Sequence, residues 1–208
     1  MTETRELETA SAIDWIFGPL VQPQTWLNVL YLLVSFPLGV VYFVVLTTLF
    51  SAGLGLSVVF IGLFLLIAAF AAANVMADLD RVVLNTLADA AIPSRPAMDK
   101  PAGNVLKRFE ALVRSGRTWK RVGYLFVRFL TGIVSFTLVV ALLPAGLALL
   151  TAPLTYELVP LMIGTGRVST FDEAIFLCCF GAIFTLVTVH VLNWWTRVCV
   201  VFAARMLA

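Results

Sequence analysis

Residues 15–77 read WIFGPLVQPQTWLNVLYLLVSFPLGVVYFVVLTTLFSAGLGLSVVFIGLFLLIAAFAAANVMA, a run from Trp15 to Ala77 without one Asp, Glu, Lys or Arg. As a single helix this stretch would extend about 95 Å at about 1.5 Å per residue, about three times the hydrocarbon thickness of a bilayer. The chain must fold back on itself. Ser51-Ala52-Gly53-Leu54-Gly55 supplies the tight turn, because glycine adopts the dihedrals that a helical hairpin demands. The pattern predicts a first crossing over 27–50 and a second over 56–77. Pro37 removes a backbone hydrogen bond inside the first and predicts a kink. Ser35 with Gly39, Ala68 with Ala72 and Ala69 with Ala73 are each four residues apart, a spacing that lets helices approach closely in lipid.

The rest of the chain keeps this character. Of 208 residues, 61% are hydrophobic and only 12% charged, with a mean hydropathy of +1.01. Soluble domains carry about 25% charged residues, and here too few polar groups remain to coat a globule. A soluble enzyme, a secreted disulfide scaffold and a disordered tail are excluded together. Residues 129–156 form a second charge-free run and 174–196 a third, broken only by the titratable His190. They predict crossings over 122–143 and 174–195. The fold class is therefore an all-α membrane protein, with four transmembrane helices as two antiparallel hairpins and amphipathic cytoplasmic helices between and after them.

The connecting segments differ sharply from one another. Residues 1–25 lack a secretory signal, since Glu3, Glu6 and Glu8 outnumber Arg5. Trp15 and Trp26 mark the segment as interfacial, because indoles prefer the headgroup level. In the linker over 78–117, Leu79, Val82, Val83, Leu87 and Ala90 recur at helical steps. Asp78, Asp80, Arg81, Asn85 and Asp89 fall between them, on the polar side of an amphipathic helix. Pro93, Pro96 and Pro101 break that helix. Leu106, Phe109, Leu112 and Val113 then resume the stripe amid Lys107, Arg108 and Arg114, which suits an anionic leaflet or an acidic partner surface. Between the last two crossings an outer insertion over 145–172 follows Pro144. Pro153, Pro160, Gly164 and Gly166 punctuate it.

Basic residues set the expected orientation. The middle segment carries Arg81, Arg95, Lys100, Lys107, Arg108, Arg114, Arg117, Lys120 and Arg121, the 51–55 turn none, and the outer insertion only Arg167. The positive-inside rule then places the middle segment, and both termini with it, in the cytoplasm of a multi-pass cell-membrane protein. Cys178, Cys179 and Cys199 lie in apolar sequence without metal-ligand spacing and read as small lipophilic fillers.

A displacement of 93 residues aligns two halves of the chain. Thr25-Trp26 meets Thr118-Trp119, Tyr31 meets Tyr124, Phe36 meets Phe129, Gly39 meets Gly132, Phe43 meets Phe136 and Gly53 meets Gly146. A displacement of 119 pairs Gly62 with Gly181 and Asn74 with Asn193, so the outer insertion accounts for the difference. With both halves entering from the cytoplasm, the expectation is a parallel duplication about an axis along the membrane normal.

Tyr31-Leu-Leu-Val-Ser-Phe-Pro-Leu-Gly39, Thr118-Trp119 with Tyr124, and Val168-Ser-Thr-Phe-Asp-Glu-Ala174 leading into Val189-His190-Val-Leu-Asn193 carry a family resemblance. Over about residues 25–207 the chain resembles the four-helix putative sensor domain found at the N-terminus of many prokaryotic histidine kinases and as free-standing membrane proteins. Leu130 departs from it where the first repeat has Pro37. Ending at Ala208, without dimerisation and ATP-binding domains, the chain is expected to be a free-standing member. The resemblance implies a sensing role and designates no sensing residue.

Enzyme motifs are missing from the sequence: no Gly-rich phosphate loop, no His-Glu-x-x-His and no Gly-x-Ser-x-Gly elbow. The expectation is a non-enzyme without cofactor or metal. Polar groups inside crossings are the candidate residues, because burying them is costly without a partner. Asn74, Arg128, His190 and Asn193 form one candidate signalling cluster, although the asparagines also suit simple helix bridging and His190 a satisfied core position. Tyr156, Glu157, Arg167, Asp172 and Glu173 form a candidate outer sensing segment. The leading expectation is a sensor or regulatory module that passes a membrane or extracellular signal to a partner protein. Its partners would be the bilayer and either a second copy, as a homodimer, or a kinase, regulator or transporter subunit in trans, with no nucleic acid. A small transporter or channel built from duplicated hairpins is the alternative, and a purely structural subunit the third.

Overall fold

A computed structural model of the chain describes residues 18–20, 22–57, 61–93, 110, 113–155, 162–163, 166–167 and 170–207. Four long helices dominate: α1 (Pro23–Gly55), α2 (Ile61–Leu87), α3 (Gly116–Leu150) and α5 (Phe171–Leu207). Each is long and apolar enough to cross a membrane. Between α3 and α5 lie a one-turn helix α4 (Ala152–Thr155) and a two-residue antiparallel ladder, β1 (Met162–Ile163) with β2 (Gly166–Arg167). Most of the 1–25 segment and of the basic linker after Pro93 falls outside the described residues.

The helices run longer than the apolar periods suggest. Helix α1 continues to Gly55, so the turn follows rather than comprises residues 51–55. Helix α3 continues through Pro144 to Leu150, which moves the start of the outer insertion from 145 to about 151. The physical reason is the solvent. A proline forfeits one backbone bond, whereas unwinding into lipid would strand several. Helix α5 starts on a capping box: the Glu173 amide donates to Thr170 Oγ1 at 3.4 Å and the Thr170 amide to Glu173 Oε2 at 3.3 Å.

The contacts form two compact units, Met1–Val29 with Thr137–Trp195, and Leu30–Phe136 with Thr196–Ala208. In the first, α3 and α5 pack antiparallel. Thr185 lies beside Gly146, and Leu149 beside Gly181. The Cys178 thiol donates to the Leu150 carbonyl at 3.4 Å. Ala152, Ala174 and Leu177 close a small apolar core there.

In the second unit α1 and α2 form the predicted antiparallel hairpin, with Leu66 against Gly53 and the Phe50 and Phe70 rings 5.3 Å apart. The buried positions of α2 are Gly62, Leu66, Ala69, Phe70, Ala73, Ala77, Asp80 and Leu84, one helical stripe. Leu79 and Val82, expected on the apolar packing side, are more than half exposed, while Asp80 is buried. The polarity assigned to that stretch is thus reversed at these three positions, whereas Asp78 and Asp89 are exposed as expected. In lipid the exposed face is the apolar one, and the ionised group turns inward to its partner. Beyond Leu87 the chain bends back, with positive φ at Asp89 and Ala91. Asn85 clamps this bend, donating to the Ile92 carbonyl and accepting from its amide, each at 2.9 Å.

Helix α3 passes α1 in the opposite sense. Phe43, late in α1, meets Phe126 and Phe129, early in α3, whereas Phe36 meets Phe136. It runs with α2: Phe70 meets Trp119, Asn74 meets Arg121 and Asp80 meets Arg128. A duplication about an axis along the helices would give α1 and α3 the same sense, so that axis is not the one these contacts describe. A sharp prediction follows for sidedness. Single cysteines at Ala88 and Ser115 should label from opposite faces if the contact sense is the membrane sense. They should label from one face, the cytoplasmic, if the basic linker stays on one side as its charge count requires. Impermeant maleimide on intact cells and on inverted vesicles separates the two.

Candidate functional site

The stripe on α2 delivers Asp80 to the interior of the second unit, and α3 delivers Arg128 to meet it. Arg128 lies ten residues after Thr118, about 15 Å along the helix. Both are buried, Asp80 at 0% and Arg128 at 2% exposure. Arg128 Nε lies 3.0 Å from both carboxylate oxygens of Asp80. Nη2 donates to Ser35 Oγ at 3.0 Å, and Ser35 in turn donates to the Tyr31 carbonyl at 2.6 Å. Tyr124 donates its hydroxyl to Asp80 Oδ2. The guanidinium carbon stands 5.0 Å from the centre of the Tyr31 ring, a cation–π contact between two buried groups. Three helices thus converge on one ion pair, whose geometry supplies the hydrogen bonds that make a buried pair tolerable.

The expected signalling cluster is redistributed. Arg128 belongs to the pair just described. Asn74 sits in the same unit on a different partner: its Oδ1 accepts from Arg121 Nη1 at 2.6 Å, and its amide donates to the Phe70 carbonyl at 3.0 Å. Asn193 and the half-buried His190 lie in the first unit. There Asn193 Oδ1 accepts from the Asn28 amide at 2.9 Å, and its own amide donates to Thr25 Oγ1 at 3.1 Å. Both asparagines bridge helices. Asp80, Tyr31, Ser35 and Tyr124 were not singled out from sequence as site residues, although Asp80 continues the Leu66-Ala69-Ala73-Ala77 step along α2 and could have been read from it.

Of the outer sensing segment, Tyr156 and Glu157 fall outside the described residues, as does the side chain of Arg167. Asp172 and Glu173 are exposed in the first turn of α5, where carboxylates complement the helix dipole. Glu173 has the capping role given above.

Chemically, the buried cluster presents an ion pair held by hydrogen bonds from three helices. Asp80 accepts from Tyr124 and from Arg128 Nε, and Arg128 Nη2 donates to Ser35. It is a group that fixes helix positions, and whose disruption would release them. No curated protein and no solved structure matches the chain. A family model does, over residues 31–207, and its description is "Putative sensor". The match takes in α1 from Tyr31 onward, the other three membrane-spanning-capable helices and the whole Asp80–Arg128 cluster, and the chain belongs to this sensor family.

Proposed function

We propose that the chain is a non-enzymatic regulatory module of the cell membrane that senses a membrane or extracellular condition and passes it to a partner protein. The observation that supports this most is the ion pair buried among α1, α2 and α3. Charged residues inside membrane spans are costly and mark function, and this pair locks three helices through interactions that work only in one arrangement. A stimulus that favours another packing would move α2 and α3 together, and their ends adjoin the basic 94–117 segment. That segment, rich in Lys and Arg, would carry the change to the anionic leaflet or to an acidic surface of a kinase, a transcription regulator or a transporter subunit.

The test is deletion of residues 94–112 from the full chain in its native host. Membrane abundance should persist, while the co-purifying partner and the response of its target genes or activity are lost. An unchanged partner set and response would remove the proposal. Solute or ion flux through proteoliposomes of the purified chain, abolished by Asp80→Asn or Arg128→Gln, would replace it with transport.

A further inference from the structure

Contacts in the second unit come in exchanged pairs. Gly39 lies against Phe129, and Gly132 lies against Phe36. Phe36 stacks on Phe136 at 4.9 Å, and Phe43 on Phe129 at 4.6 Å. A step of 93 residues turns each contact into the other with its partners exchanged, the signature of an isologous two-fold contact. The helix-pair contacts repeat as well. Leu66 beside Gly53 corresponds, at steps of 119 and 93, to Thr185 beside Gly146. Arg121 on Asn74 corresponds in the same way to Asn28 on Asn193.

This correspondence places Arg128 opposite Ser35, so their hydrogen bond joins two counterparts and lies at the local axis. Tyr31 and Tyr124 are also counterparts and both are present: one stacks on the guanidinium and the other donates to the carboxylate. The counterpart of Asp80 is Cys199, buried in the same unit. Both halves therefore keep a tyrosine at the corresponding position, while the charges break the correspondence.

We infer that Asp80–Arg128 occupies one of two equivalent sites, the twin being Cys199 with Ser35, and that the pair dictates which helix pair packs on which. The surfaces of α1–α2 and α3–α5 are otherwise alike enough for a second copy of this chain to offer the same half. Two α1–α2 halves would leave Asp80 without a cation. Two α3–α5 halves would set Arg128 against Arg128. Only unlike halves close the charge, so the pair excludes like-with-like association by leaving uncompensated charge in the wrong assemblies. This inference stands apart from the sensing role and would survive its loss.

The test uses the full chain in detergent. The uncharged variant Asp80→Cys/Arg128→Ser should self-associate at least about tenfold more strongly than wild type, because the like-charge penalty has gone. The transplanted variant Ser35→Arg/Asp80→Cys/Arg128→Ser/Cys199→Asp should return self-association to the wild-type level. It should also unfold at a higher temperature than Cys199→Asp alone, whose new carboxylate lacks a cation. Equal self-association in wild type and the uncharged variant would overturn the pairing role. A transplant that neither restores the wild-type profile nor outlasts Cys199→Asp on heating would overturn the equivalence of the two sites.

Discussion

Asp80→Ala should destabilise the chain by about 3–5 kcal/mol, the cost of leaving a buried guanidinium without its counter-ion. At about 2–4 °C per kcal/mol for a chain of this size, the unfolding midpoint in detergent falls by about 6–20 °C. Truncation leaves Arg128 at 2% exposure, still bonded to Ser35 and over Tyr31 but with no anion. Tyr124 loses the acceptor of its hydroxyl at the same time. Removing both charges should hurt less than removing one. Asp80→Ala/Arg128→Met dispenses with the desolvation of two ions, so its midpoint should lie well above that of Asp80→Ala. The coupling from the four-member cycle should be of the order of 2–3 kcal/mol, since the residues touch. A cycle that closes to within a few tenths of a kcal/mol would mean that the pair holds nothing.

This cluster also shows where the sequence could and could not be read. Four crossings follow from three charge-free runs, because hydrocarbon admits almost nothing else. The extent of each helix does not follow as easily, since hydropathy falls where a helix leaves the bilayer or where it turns a charge inward. Asp80 is the instructive case. Flanked by Asp78 and Arg81, it resembles the first residue of a solvated linker. Only its phase with Ala73 and Ala77, both buried, reveals that it faces the interior. Arg128 was legible as a polar group needing a partner, but its partner lies 48 residues earlier in the chain, where no local pattern points. Asn193 was legible as a polar group needing a partner. That Thr25 and Asn28 provide it is tertiary information no local pattern contains. The expected axis along the membrane normal is not the one the α1–α3 contacts describe, because the direction in which two helices pass depends on packing rather than on sequence spacing.

The second large effect belongs to the helix crossing itself. Gly132→Leu should cost at least about 3 kcal/mol, the upper part of the range for overpacking, and Gly39→Leu nearly as much. A Cβ at Gly132 would stand 2.7 Å from the Ser35 carbonyl oxygen and 3.2 Å from Phe36 Cα; one at Gly39, 2.9 Å from Phe129 Cα and 3.2 Å from the Arg128 carbonyl oxygen. These neighbours are backbone, which cannot rotate away as a side chain can. Relief therefore requires α1 and α3 to separate, and that pulls Ser35 and Arg128 apart at the same crossing. Even Gly→Ala should be felt at both positions, in similar measure, because each glycine faces the counterpart of what the other faces. Gly123 supplies the control. It lies in α3 with nothing within 4 Å of its would-be Cβ, so Gly123→Ala should stabilise the helix by about 0.5–1 kcal/mol through its lower backbone entropy. Thermal unfolding of the three alanine variants in one detergent decides the matter. If Gly132→Ala behaves like Gly123→Ala, the close crossing is absent in the membrane-extracted protein, and the Arg128–Ser35 hydrogen bond would have to span a gap that its 3.0 Å length does not allow.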